Sequence, residues 1–473
     1  MVVKSMKRKK FVFFVLLMVI ISLVTSNIVT ALTVKLSQQT SKTQPAQMNT
    51  INDNYNMIII TVSEYESSLA SFVDHKNNIG VQTKIVSLYD IYNGVYFDVQ
   101  GRDNPEQIKY FIKDAVEHWG ITYVLFVGGS KQVPVRECYN DDKYASSPEP
   151  MFISELYYAD IYDSENDFSS WDSDDDGVFG EWKDEQAEDK NIDLKPDVCI
   201  GRLACTTVKD VDTVVNKIIN YEKQTFSSWF NRIVVAGGDT YKKYEGFEGE
   251  IYNQQVLDVM DDFTPVKLWA SNNGLTKNGW NILTELNKGC GFLYLSGHGN
   301  VNLWVTYDAN RENVGKFDKS MMNLLSNKNK LPVCLVGGCH NSEFSVFKSK
   351  IKTRFNVLNN FDALLTSNGC WSWELTRRSE GGAIATLGTT GLCWYGVEYD
   401  GGGTNWLNLQ FFKEYKKDIR VLGELWKNAI TGFVENLPIN WDTPAGGASS
   451  IDAKTVQQWT LLGDPSLMIG GLS

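Results

Sequence analysis

Two short stretches carry residues that could do chemistry together. The apolar run Phe292–Ser296 ends in Gly297-His298-Gly299, and the run Pro332–Val336 ends in Gly337-Gly338-Cys339. A thiolate is a nucleophile, and an imidazole within reach can take and return its proton. Forty-one residues separate His298 from Cys339. A helix is predicted between them, at Phe317–Leu325, and a right-handed crossover would then lay the two strands parallel, ~4.8 Å apart if adjacent. Both residues would leave the same sheet edge, the carboxyl ends of strands where parallel sheets bind ligands. Gly299 and Gly338 would leave room for backbone to approach a substrate, and the N–H groups of Gly299 and Cys339 are natural oxyanion donors.

A bland reading competes. There are eight cysteines, at 138, 199, 205, 290, 334, 339, 370 and 393, and an even count in an exported chain can mean disulfides. No close spacing implies a framework. Cys334, mid-strand, reads as a small core residue. His340 adjoins Cys339 but is a poor base for it, because neighbouring side chains diverge. His75 and His118 fall in predicted helices and read as structural. No His/Cys cluster has zinc spacing.

The chain has 473 residues and a net charge of −12, which argues against a nucleic-acid surface. The charge is local: residues 160–197 hold 15 acids against three lysines. Within them, Asp172-Ser173-Asp174-Asp175-Asp176-Gly177 matches positions 1, 3, 5 and 6 of a calcium loop, with Val178 where such a loop offers a backbone carbonyl. The match fails at position 12, which is Lys183; Glu181, Asp184 or Glu185 could close the site instead. A solvated acidic loop is the alternative.

The elements that must position these residues follow from periodicity. Met57–Val62, Val81–Ser87 and Thr122–Val127 are β-type runs. They alternate with helices at Glu64–Asn78 and from Asn104-Pro105, where Asn104 is the expected N-cap. After the acidic insertion come Val198–Gly201 and a helix bearing Val208, Val211, Val214, Val215 and Ile218. The pattern then restarts at Arg232–Ala236. The expected fold is therefore α/β, two mainly parallel sheets with helices on their faces: a first subdomain over 57–225, with its acidic insertion at 160–190, and a catalytic one over 226–473. The largely helical last 70 residues run up to a Gly463-Asp464-Pro465 turn. At the other end, Lys4, Lys7, Arg8, Lys9 and Lys10 precede an apolar run and small residues ending at Ala31. This is the layout of a signal peptide over 1–31, with an uncleaved anchor as the rival. Residues 37–56, polar and aperiodic, make 32–56 a tether or short pro-segment.

Tyr294-Leu295-Ser296-Gly297-His298-Gly299 and Gly338-Cys339-His340-Asn341-Ser342-Glu343-Phe344 resemble the His and Cys motifs of the gingipain-type cysteine peptidases. Val127-Gly128-Gly129 with Val133-Pro134, Ser154-Glu155-Leu156-Tyr157-Tyr158, Pro196–Arg202 and Leu462–Leu467 resemble further segments of that family, in order, across residues 57–470. The resemblance implies a caspase-haemoglobinase-like α/β/α sandwich of two side-by-side subdomains. It implies Cys339 as nucleophile, His298 as general base and acid, and Glu155 as the carboxylate orienting His298. Asp193, nine residues before Arg202, would be an S1 acid and Trp394 a wall of the same pocket, selecting Arg or Lys at P1 by charge-assisted hydrogen bonding.

The expected function is an exported cysteine endopeptidase acting on proteins or peptides, secreted or held at the cell surface by its N-terminal segment. Calcium is the expected ion, through Asp172, Asp174, Asp176, Val178 and Glu181; no organic cofactor is implied. Two alternatives stay open. A sortase-like transpeptidase would use the same acyl-enzyme, and a calcium-dependent surface binding module would not be an enzyme.

Overall fold

The computed structural model describes residues 54–143, 148–190, 192–225, 228–241, 244–345, 369–398 and 401–472. The signal and most of the tether lie outside them. Among the described residues no helix is long and apolar enough to cross a membrane.

Ile58, Ile59 and Ile60 form the middle of a fully buried strand, β1 (Met57–Thr61). Such a run, apolar at every position, is stable only with both faces covered. It pairs in parallel with β2 (Thr83–Ser87) and β3 (Tyr123–Val127). Two hairpins follow, β4–β5 (Arg136–Tyr139, Met151–Ser154) and β6–β7 (Trp182–Lys183, Gln186–Ala187). Then β8 (Cys199–Leu203) completes a four-stranded parallel sheet of order β2-β1-β3-β8. The helix Glu66–Asn78 packs on Val208–Lys223, and Asn104–Trp119 packs on Leu88–Tyr92. The N-cap of Asn104–Trp119 is Asp103, one residue before the expected Asn104. Its carboxylate accepts from Glu106 N–H, which places Pro105 at the second helical position, still free of any donor requirement.

The second sheet takes β9 (Arg232–Gly237), β10 (Thr264–Trp269) and β11 (Phe292–Ser296). The segment after β11 corrects the sequence reading. No α-helix lies between His298 and Cys339. An antiparallel sheet of β12 (His298–Asn300), β13 (Leu303–Tyr307) and β14 (Asn313–Asp318) fills it, then a 3-10 turn at Met321–Leu324. The apolar spacing at 317–325 imitates a helix, but Phe317 pairs opposite Trp304 across the ladder, a tertiary pairing with no local signature. β15 (Val333–Gly337) and β16 (Ala385–Thr389) continue the sheet in parallel. β17 (Trp459–Leu462), where the chain was expected to stay helical, closes it antiparallel to β16.

Alternation along these strands splits the core in two. Val234, Leu293, Leu295, Cys334 and Val336 face one way, with Ile282, Leu286 and Trp371. Ile233, Val235, Phe292, Tyr294 and Leu335 face the other, with Val256, Phe411 and Phe412. That is the period-2 consequence of a sheet sandwiched between helical layers. The edges β8 and β17 abut: a side chain on Gly201 would run into the Gly463 carbonyl, so the sheets lie side by side.

Candidate active site

β11 and β15 are paired from Phe292↔Val333 to Ser296↔Gly337, so His298 and Cys339 stand two residues beyond matched strand ends. Gly297 N–H donates to the Gly337 carbonyl at 3.0 Å, extending the match. Tyr395 Oη donates to the Gly337 carbonyl and accepts from Gly297 N–H, at 2.9 and 3.1 Å. The two loops are stitched by Asn341. Its side-chain amide donates to the carbonyls of Asn300 (2.8 Å) and Leu303 (3.0 Å). Its carboxamide oxygen fills the space where Gly299 or Gly338 would carry a Cβ. The two glycines thus make room for Asn341, not for substrate backbone. This gives the C-x-N spacing its physical reason.

His298 is half-buried between the rings of Tyr241 and Tyr307, at 5.9 and 5.5 Å between centroids. Its Nε2 lies 2.8 Å from the Thr240 carbonyl. A carbonyl only accepts, so Nε2 carries a proton and Nδ1 is the free base of the neutral ring.

Cys339 Sγ accepts from Cys393 N–H at 3.3 Å. Hydrogen bonding by Cys393 pulls the Cys339 thiol down to about 6 against burial, with the charges of His340 and then His298 adding to it. Six other cysteines, 138, 199, 205, 290, 334 and 370, are buried and pushed upward by desolvation, so they are inert thiols.

His340 is buried, with Nδ1 2.9 Å from Glu343 and Nε2 3.3 Å from Glu149. Burial opposes its charge, but hydrogen bonds and charges from the two carboxylates hold its pKa up at about 9. An imidazolium with both nitrogens engaged is no base for Cys339, which agrees with the sequence reading for a different reason.

Glu155 makes no hydrogen bond to His298, a correction to what the resemblance implied. Arg202, fully buried, takes both its oxygens, Nε–Oε2 at 2.8 Å and Nη2–Oε1 at 3.0 Å. The guanidinium also donates to the carbonyls of Gly128 (2.8 Å), Val133 (3.1 Å) and Pro134 (3.4 Å). The group orienting His298 is instead a backbone carbonyl, that of Thr240. Its only sequence signal is the Gly237-Gly238 strand end just before it.

Asp193 and Trp394 are not brought together either. Asp193 lines an acidic cavity of about 580 Å³ with Asp163, Asp172, Asp189 and Trp441, and neither Trp394 nor Cys339 is part of its wall. Burial holds Asp193 above the usual carboxylate range. Trp394 is half-buried and adjoins Cys393, beside the nucleophile.

The acidic loop does turn as its spacing predicts. Gly177 has φ +86°, and ligand oxygens of Asp172, Asp174 and Asp176 lie within 4.8 Å of one another. Val178 N–H donates to Asp176. Glu181 joins through Asp176 and Glu188 rather than through Asp172, and Lys183 lies 2.9 Å from both glutamates. Arg102 holds Asp172 at 2.8 Å. The donor set fits a hard cation at the Asp172–Asp176 turn, with part of its charge already balanced.

A family model described as "Peptidase family C25" matches residues 50–470. Gingipain R2 of Porphyromonas gingivalis (strain ATCC 33277) is 22% identical over 430 residues, covering 88% of this chain and 46% of that protein. Gingipain R1 of Porphyromonas gingivalis is 22% identical over 441 residues, 90% of this chain and 35% of that protein. The chain thus spans less than half the length of these relatives. The crystal structure of the Arg-specific cysteine proteinase gingipain R superposes with a TM-score of 0.60 at 20% identity, covering 90% of this chain and 80% of that one. The complex of Porphyromonas gingivalis RgpB pro- and mature domains gives 0.57 at 21%, covering 88% and 79%. These likenesses bear out the α/β, caspase-like architecture.

Proposed function

The chain belongs to peptidase family C25, and from that premise we propose that it is a cysteine endopeptidase with Cys339 as nucleophile and His298 as acid and base. The observation that carries this reading is the in-register pairing of β11 and β15, which presents both residues from equivalent positions on one sheet edge. At neutral pH a thiol near 6 is mostly thiolate. It attacks the substrate carbonyl carbon, and the oxyanion that forms is received by the N–H groups of Gly299 and Cys339. His298, held through Nε2 by Thr240, takes the Cys339 proton on Nδ1 and then gives it to the leaving amine. The thioester is then hydrolysed by water that the same Nδ1 deprotonates.

Selectivity for Arg or Lys at P1 is supported by similarity to an Arg-specific proteinase and by Trp394 beside the nucleophile. Asp193, the acid expected to read that cation, lines another cavity. Calcium would be held by Asp172, Asp174 and Asp176, with Glu181 adjoining, and would stabilise the insertion by neutralising it. Residues 1–31 would direct export, to the medium or to the cell surface.

Labelling with peptidyl acyloxymethyl ketones bearing P1 Arg, Lys, Asp or Leu tests the reading, beside Cys339→Ala and His298→Ala. Covalent labelling of Cys339 in the wild type alone supports the peptidase, and the preferred P1 residue decides the selectivity. Failure to label a folded wild type overturns it.

A further inference from the structure

The nucleophile has a second sulfur against it. Cys393 lies in the segment after β16, the parallel neighbour of β15, and its backbone wraps the Cys339 side chain. Its N–H donates to Cys339 Sγ at 3.3 Å, and its carbonyl accepts from the same sulfur at 3.8 Å. Its own sulfur lies 3.1 Å from Thr404 Oγ1. Cys393 is buried at 9% exposure, while Cys339 is partly open to solvent. A solvent-reached thiolate with a sheltered thiol beside it is the arrangement in which a sulfenic acid is captured before it oxidises further.

We propose that Cys393 is a resolving cysteine for Cys339, and that a peroxide converts the pair into an intramolecular disulfide that caps the nucleophile until a small thiol restores it. The inference rests on the reading of Cys339 as the reactive thiolate. In the first step the Cys339 thiolate attacks one oxygen of hydrogen peroxide. The O–O bond breaks, the sulfur becomes sulfenic acid, and hydroxide leaves. In the second, the Cys393 thiol attacks that sulfur. The S–S bond forms, the S–O bond breaks, and the hydroxyl leaves as water with the Cys393 proton. Two equivalents of a reducing thiol return both cysteines and leave as their own disulfide. The Cys393 backbone already touches the Cys339 sulfur, and closure would turn the Cys393 side chain away from Thr404. With the S–S bond formed, Cys339 is no longer a thiolate and cannot attack a substrate carbonyl.

The full chain, reduced and freed of reductant, would be titrated with hydrogen peroxide, blocked with iodoacetamide and digested without reduction for mass spectrometry. The expected result is a peptide pair linked through Cys339 and Cys393, lighter by two hydrogens. Ketone labelling of Cys339 should be lost in parallel and regained with dithiothreitol. In Cys393→Ser the linked pair is absent, Cys339 advances to sulfinic acid, and recovery by dithiothreitol falls about tenfold or more. Sulfinic acid at Cys339 in the wild type with no linked pair overturns the proposal, as does equal recovery in Cys393→Ser. The link is read by mass, independently of turnover. A chain that forms it yet cleaves nothing breaks the peptidase reading alone, and one that cleaves but never links breaks this inference alone.

Discussion

The two sheets end in similar sequence and opposite chemistry. β3 runs into Gly128-Gly129, as β15 runs into Gly337-Gly338. At the first edge, the buried charge is fully paired. Arg202 binds Glu155 twice and caps the carbonyls of Gly128, Val133 and Pro134. The three segments that carry the family resemblance in the first half of the chain meet at this one guanidinium. At the second edge, a thiol is left partly exposed with its thiolate stabilised, and an imidazole is left with one nitrogen free. A buried ion pair with all donors and acceptors used holds loops in place, whereas a titratable group with spare valence can react. Phe344, at the end of the Cys motif, lies 5.1 Å from the Arg202 guanidinium, so the inert edge buttresses the reactive one.

The comparison can be broken by substitution. The largest effect is expected from Cys339→Ala and His298→Ala, each lowering kcat/KM by about 10³-fold or more at unchanged stability, measured by single-turnover cleavage and thermal unfolding. The opposite signature is expected at the first edge. Arg202→Met should leave Glu155 buried and unpaired and cost about 3–5 kcal/mol, read as a lower urea midpoint, while the titration of Cys339 stays where it was. Glu155→Gln with intact stability but a collapsed kcat would instead restore Glu155 as a catalytic carboxylate.

His340 sharpens the contrast, since it belongs to the reactive loop yet has no free nitrogen. Its folded pKa, about 9, lies above the roughly 6.5 of an unfolded chain. Its stabilisation is therefore complete below about pH 6.5 and disappears as pH rises through 9. His340→Gln should cost on the order of 2 kcal/mol at pH 7, and the gap to wild type should narrow by pH 10 in denaturant titrations. The same variant should move the alkylation midpoint of Cys339 upward from about 6, because the His340 charge favours the thiolate. The smallest effect concerns the acidic insertion. Chelation, or Asp174→Asn, should lower stability by about 1 kcal/mol at calcium tenfold above its Kd, with the thiolate titration unchanged. An unchanged melting temperature with and without calcium would reduce the loop to a solvated turn.

Much of this was legible in the chain itself. Parallel strands betray themselves by continuous apolar runs, so β1, β3, β9, β11 and β15 could be placed to within a residue or so. Their glycine-marked ends located His298 and Cys339 before any contact was known. Gly177 marked the acidic turn in the same way. Local pattern misled at 317–325, where strand pairing with Trp304 overrode a helical spacing. It was also silent on β17, whose four residues pair antiparallel with β16.

The sequence by itself determined which residues sit at the strand ends, because burial imposes its periodicity on neighbours along the chain. Only the tertiary structure decided what those residues touch. Glu155 meets Arg202 across 47 positions, His298 meets the Thr240 carbonyl across 58, and Cys339 meets Cys393 across 54. Partners so far apart leave no period to read. They are chosen by how loops cross at a sheet edge, where each buried polar atom takes the donor or acceptor that packing brings to it.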